Sequence, residues 1–118
     1  SVYYSHNSYV AEVAHLRMNG NTTKVEKVTC AVDCGLVVNP IAASNLVEGG
    51  VVDGVGHSMF GDFIFENGQT TVTNFDQYRL IRTSEAPKVE VFFVDSDVDP
   101  TGLRLYKQPY IKETALLG

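Results

Sequence analysis

Two cysteines, three histidines and a scatter of carboxylates are the side chains in this 118-residue sequence whose types suit chemistry. Cys30 and Cys34 lie four positions apart. On one strand they would share a face about 13 Å apart, too far for a disulfide. Reduced thiols buried in a core strand are therefore expected. A thiol redox or metal module is the competing reading, but no second pair completes a zinc site. His6, His15 and His57 all lie elsewhere in the sequence. His57 precedes Ser58, yet adjacency does not make a triad, and a histidine in an apolar helical run reads as structural. Gly54-Val55-Gly56-His57-Ser58-Met59 lacks the lysine and the preceding strand of a phosphate loop. Asp33 ends an apolar run just before Gly35, where a carboxylate bonds turn amides. Glu48 precedes Gly49 and Gly50 inside a helical pattern, so capping, pairing with a neighbour and cofactor support all remain open.

These residues need elements to hold them. Ser8 to Met18 reads as a strand, and Asn19-Gly20 as a type I′ turn. Lys24 to Asp33 then returns with Val28, Cys30 and Val32 on one face and Lys27, Thr29 and Asp33 on the other. Asn39 suits a helix N-cap, with Pro40 at the first helical position. From Ile41 to about Phe60, Val47, Val51, Val55 and Met59 recur at helical spacing with Val52 beside them. Gly49, Gly50, Gly54 and Gly56 interrupt that helix at about 1 kcal/mol each, which implies close approach of another backbone or of a ligand. Phe60 to Phe65 reads as a strand, Asn67-Gly68 as a second type I′ turn, and Gln69 to Thr73 as the return. Asn74 to Arg82 reads as irregular. Lys88 to Asp95 is a strand with Val89, Val91 and Phe93 on one face, and Asp99 to Gly102 a turn. A short helix is expected near Ile111 to Leu117. The fold class is α+β: a largely antiparallel sheet with one long glycine-containing helix packed on a face. The whole chain, 1–118, reads as a single domain.

Composition narrows the partners. A net charge of −5 without a basic cluster argues against nucleic acid. An apolar content of 44% supports a core, and no run is long enough to span a bilayer. The sequence opens Ser1-Val2-Tyr3-Tyr4, without an initiator methionine, which fits an excised piece and leaves the compartment open.

The order Asp33-x-Gly35, Asn39-Pro40, Glu48-Gly49-Gly50 resembles the molybdenum-binding large subunit of the xanthine oxidase family. The branch it is most similar to is the isoquinoline 1-oxidoreductase large (beta) subunit. Phe60 to Phe65, Asn74 to Arg79, Glu85-Ala86-Pro87 and Lys88 to Val91 match that branch in kind and order, so the resemblance runs from about Ser8 to about Pro100. It implies a C-terminal fragment of a longer oxidoreductase that hydroxylates N-heteroaromatic or aldehyde substrates with water-derived oxygen. It also implies a molybdopterin-type molybdenum cofactor, a glutamate as general base, and electron exit through an iron–sulfur small subunit. Glu48, Gly49 and Gly50 would be the cofactor-binding residues. Two positions depart from the pattern. The family's glutamine, six residues after the proline, falls on Leu46, which can neither donate nor accept. The slot of the catalytic glutamate falls on Leu105, and the surroundings of Glu113 do not match, so residues 104–118 are atypical. No catalytic residue and no metal ligand is therefore assigned. The fragment itself is expected to be inactive, to hold no cofactor and to pair with a second copy through faces that the rest of the large subunit would cover. The alternative is a non-catalytic structural or subunit-contact module derived from that family.

Overall fold

The computed structural model describes residues 1–97 and 99–100. The expected helix near Ile111 to Leu117, the end of the turn at Gly102, and Leu105 and Glu113 lie outside the described residues.

Two long strands form the spine. β2 (Ser8–Asn19) and β3 (Thr22–Asp33) pair antiparallel along their length. Their turn sits one residue later than expected: Asn19 pairs with Thr22, and Gly20 and Asn21 are the central residues. Gly20 takes φ +61° while Asn21 does not have positive φ, a pattern that needs glycine first, as in a type II′ turn. A short strand, β1 (Val2–Ser5), precedes them and pairs antiparallel with β2 through His6 and Asn7, whose φ values are 51° and 60°. Sequence reasoning missed this hairpin because a histidine stands where Asn-Gly or Asp-Gly usually signals the turn. The Tyr4 hydroxyl donates to Asn7 Oδ1 at 2.9 Å and helps close it.

A bulge shifts the register between His15 and Leu16 and leaves Glu26 as the extra residue of β3. It moves Val25 onto the face that carries Val28, Cys30 and Val32, so all four are buried despite mixed parity. Glu26 turns outward to Arg17 at 2.8 Å.

After Asp33 the chain turns at Gly35, which has φ +71°. It enters α1 (Pro40–Phe60) with Asn39 as the N-cap, its side chain accepting from the Ala42 amide at 3.1 Å. Pro40 sits where no amide is needed. Ala43, Val47, Val51 and Val55 repeat every fourth residue and are buried, the three valines against Val25, Val28, Cys30, Val32 and Cys34. Each buried valine stabilises the packing by about 1.5–3 kcal/mol.

The last strand among the described residues, β6 (Lys88–Phe93), pairs parallel with β3, giving the order β1-β2-β3-β6. The sheet is thus mixed: antiparallel over three strands and parallel at β6, with α1 as the crossover between β3 and β6. A parallel neighbour needs such a connection, which the run of hairpin signals concealed. Val89, Val91 and Phe93 pack on the core as expected.

The expected strand Phe60 to Phe65 is corrected. Phe60 closes the helix, and only β4 (Phe65–Glu66) and β5 (Gln69–Thr70) pair, as a separate two-stranded ribbon around Asn67-Gly68. Asn67 and Gly68 both take positive φ, 52° and 79°, as a type I′ turn requires. The irregular stretch from Asn74 to Ala86 then straps the end of α1. Ile81 lies against Gly56, where an added Cβ would sit 2.9 Å from Ile81 Cγ2. The Arg79 guanidinium stacks 3.9 Å over the Phe60 ring and pairs with Glu85.

Candidate functional site

The motif residues gather at the start of α1. Asp33 Oδ1 accepts from the Gly35 amide at 3.3 Å, the turn-amide role expected from its position. Gly35 follows in a left-handed conformation that side chains disfavour. The turn and the cap aim α1 so that its valines meet the sheet. Its opposite face carries Leu46, Glu48 and Gly49, all exposed, with Gly50 half-buried beside them. An added Cβ at Gly49 would meet nothing within 4 Å. The glycines therefore divide: Gly56 admits a neighbour from this chain, and Gly49 leaves the helix backbone bare toward the outside.

That bare surface fits one edge of a pterin. The Glu48 carboxylate can accept from ring N–H groups, and Gly49 lets a flat group approach the backbone. It does not fit a whole molybdopterin, because Leu46 supplies no polar atom and α1 offers no lysine or arginine for a phosphate. Among the described residues no three His, Cys, Asp or Glu side chains converge as a metal site.

A second cluster lies at the other end of α1. His57 Nε2 is 3.4 Å from Asp53 Oδ1, one helical turn earlier, and Nδ1 is 3.2 Å from the Tyr78 hydroxyl. If Asp53 accepts from Nε2–H, Tyr78 donates to Nδ1; this tautomer is assigned from the network. Gly61 permits the contact, since a Cβ there would lie 3.1 Å from the Tyr78 hydroxyl. Ser58 Oγ instead donates to the Val55 carbonyl at 3.0 Å, so it forms no triad with His57. Beside His57 and Tyr78 opens a cavity of about 450 Å³ whose other walls include Phe63, Val72, Asn74 and Phe75. Phe75 and Tyr78 had no signal as site residues, because they lie in a stretch without periodicity.

The third cluster joins buried Cys30 and Cys34 to half-buried Glu12. The Cys30 thiol donates to Glu12 Oε1 at 3.8 Å across the β2–β3 register. Burial pushes the Glu12 carboxyl above its usual range, partly offset by that bond and by the N-terminal charge. Burial, with the Glu12 charge and bond, pushes the Cys30 thiol up to about 12. Burial and the Asp33 charge also raise Cys34. Both thiols are buried and outside any disulfide. This is the opposite of the electropositive, partly exposed setting of a reactive thiol.

The helix capped at Asn39 crosses from an antiparallel hairpin to a parallel strand, an α+β domain with Glu48-Gly49 on the helix's outer face. Residues 1–87 match the model of the molybdopterin cofactor-binding domain. The chain is 31% identical over 99 residues to the isoquinoline 1-oxidoreductase subunit beta of Brevundimonas diminuta, covering 84% of this chain and 12% of that one. It is 32% identical over 74 residues to the nicotine 6-hydroxylase large subunit of Paenarthrobacter nicotinovorans, covering 62% and 9%. Its fold superposes on quinoline 2-oxidoreductase from Pseudomonas putida 86 with TM-score 0.70 at 20% identity, over 75% of this chain and 12% of that chain. The chain belongs to the molybdopterin cofactor-binding domain family, as found in the large subunits of xanthine oxidase-type molybdenum enzymes. It spans about an eighth of the length of the first curated relative it matches. No helix among the described residues is long and apolar enough to cross a membrane.

Proposed function

We propose that this chain is a C-terminal part of the large subunit of a molybdenum-dependent hydroxylase acting on N-heteroaromatic or aldehyde substrates. The observation that carries the reading is the bare outer face of α1, where Glu48 and Gly49 follow the Asp33–Gly35 turn and the Asn39 cap. In the parent subunit, Glu48 accepts from the pterin edge while Gly49 and Gly50 let it lie close to the helix. The bound cofactor supplies the redox chemistry of hydroxylation; this chain orients one side of it. The rest of the large subunit and an iron–sulfur small subunit complete the enzyme. Alone, the 118 residues bind no molybdenum and hydroxylate nothing, because one carboxylate and a bare backbone do not make a site.

Leu46, 43% exposed in the slot of the family's glutamine, favours the second reading, a domain kept for subunit contact. A chimaera separates the two. The matching segment of the Brevundimonas beta subunit is replaced by residues 8–100 of this chain, and molybdenum content and isoquinoline hydroxylation are measured. Retained molybdenum, lost at least tenfold on Gly49→Val, supports the cofactor role. A folded chimaera without molybdenum refutes it and favours the contact module.

Without those partners, the chain is proposed to pair with a second copy through the sheet face that α1 does not cover. Val2, Tyr4, Tyr9, Val13, Phe92 and Val94 are all exposed there, and faces of this kind mark interaction sites.

A further inference from the structure

The sheet face that α1 leaves open changes charge along its length. At the end near Gly20, Arg17 stands opposite Lys24, and Lys27 opposite Lys88. Arg17 is bonded to Glu26, and both Lys27 and Lys88 to Glu90. Four cations against two carboxylates leave these side chains at +2, and with the whole chain at −5 all the others carry −7. At the other end stand Asp33, half-buried where β3 stops, and exposed Asp95 and Asp97 just beyond β6. The Val94 amide donates to the Val32 carbonyl at 2.8 Å, which keeps the chain beside β3 up to those aspartates. Between the two ends lie exposed Val13, Phe92 and Val94, with Ala11 and Ala31 among them.

Resting on the pairing of copies proposed above, we infer that the two faces pack with their strands antiparallel, each cationic end over the acidic end of the other copy. Packed sheets keep their strand directions within about 30° of one line, and a two-fold pair uses the same patch on both copies. Two arrangements meet both conditions. A two-fold axis along the strands lays the cationic end on its own counterpart. An axis across the strands reverses their direction and lays Lys27 and Lys88 toward Asp33, Asp95 and Asp97. Charge complementarity selects the second. The axis then passes near the Ala31–Phe92 pair, midway along the face, and Phe92 meets its counterpart across it. Size requires the charged ends to take part. Four strands about 4.8 Å apart, and about 30 Å from Lys24 to Asp33, give at most about 600 Å² per copy. Two such patches total about 1,200 Å², the lower end of specific interfaces, and the apolar middle alone falls short. Ion pairs at the rim fix the orientation and make the pairing sensitive to salt.

Sedimentation equilibrium and carbodiimide cross-linking of mixed ¹⁴N- and ¹⁵N-labelled chains test the orientation. Cross-linked peptides with one label of each kind should join Lys27 or Lys88 to Asp95 or Asp97. Raising sodium chloride from about 0.05 to about 0.5 M should weaken the dimer at least fivefold. Lys88→Glu and Asp95→Lys should each weaken it at least tenfold. The double variant should return to within threefold of the unaltered chain, because each reversed charge then faces the other. Both side chains are exposed, so circular dichroism should be unchanged in all three variants. Pairing that Val13→Lys abolishes, but that neither salt nor either reversal moves, would overturn the orientation and leave the shared face standing. Mixed-label links from Lys88 to Glu90, or a double variant no better than the singles, would do the same. A strict monomer, or a dimer indifferent to Val13→Lys, would overturn both the orientation and the face.

Discussion

Two glycines seven residues apart on the same face of α1 should respond to the same substitution with opposite sign. Gly49→Ala adds a methyl where nothing lies within 4 Å. The gain is the helix propensity of alanine over glycine, about 1 kcal/mol, part of it from a stiffer unfolded chain. Gly56→Ala has the same propensity gain, but its methyl would lie 2.9 Å from Ile81 Cγ2 and 3.1 Å from Ile81 Cβ. Those atoms are the branch point of a stiff side chain, so the strap must move. Overpacking of this kind costs about 1–3 kcal/mol, leaving a net loss of about 0–2 kcal/mol. The variants should therefore differ by about 1–3 kcal/mol. Urea denaturation followed by circular dichroism reads this as midpoints moving apart at unchanged m. A destabilised Gly49→Ala would mean that the outer face of α1 is covered within this chain. A Gly56→Ala as stable as Gly49→Ala would mean that the strap does not press on the helix. In the chimaera the first variant should change character: the methyl that stabilises the helix alone should obstruct whatever approaches Gly49 there.

Three further outcomes are expected. Burial raises the Glu12 carboxyl above its ordinary 4.5, so between that value and the raised folded one the native state holds more protons than the unfolded state. Stability then falls as pH rises through this window; Glu12→Gln should remove that slope and stabilise the chain at pH 7 relative to pH 4, and an unchanged pH profile would refute the burial. Cys30 and Cys34 should label with a thiol reagent only as fast as the chain opens, and rapid stoichiometric labelling in native buffer would contradict the packing. Light scattering should show concentration-dependent pairing that Val13→Lys weakens, whereas a strict monomer at millimolar concentration would rule out the self-association.

The capped helix was legible because each signal was local. Asn39, Pro40 and a valine every fourth residue fix its start and its buried face without reference to anything distant. The strand face of Val28, Cys30 and Val32 was legible for the same reason, since alternation is a two-residue property. Val25 was not, because a bulge at Glu26 breaks the alternation and no residue type announces a bulge. The parallel placement of β6 was hidden because the hairpins around it speak only for adjacent strands. The Glu12–Cys30 pair depends on a register 18 residues apart. The Tyr78–His57 contact depends on a strap without periodicity. Of the motif residues, Asp33, Gly35 and Asn39 could be placed by turn chemistry alone. Glu48 and Gly49 could not, because they stand exposed on the outer face of α1 with nothing among the described residues packed on Gly49.

The sheet face away from α1 argues where such partners belong. Parallel pairs are normally buried on both sides, and here the helix covers one. At one end of the open face, Lys88, Lys27 and Glu90 stand together, with Lys27 Nζ 2.7 Å and Lys88 Nζ 3.0 Å from Glu90. These bonds hold the Glu90 carboxyl below its usual range, as a solvated ion cluster does. Two residues along each strand the character changes. Ala31 pairs with Phe92, Ala11 lies opposite Ala31, and Tyr4 stacks on Tyr9 at 4.6 Å. Phe92 and Val94 remain 58% and 49% exposed. A face meant for water throughout would carry the charged pattern to its end. The apolar part of that face, from Val13 to Phe92, is where a further layer of protein is proposed to pack. A second copy can supply that layer for the chain alone; in the proposed parent, it is the remainder of the large subunit.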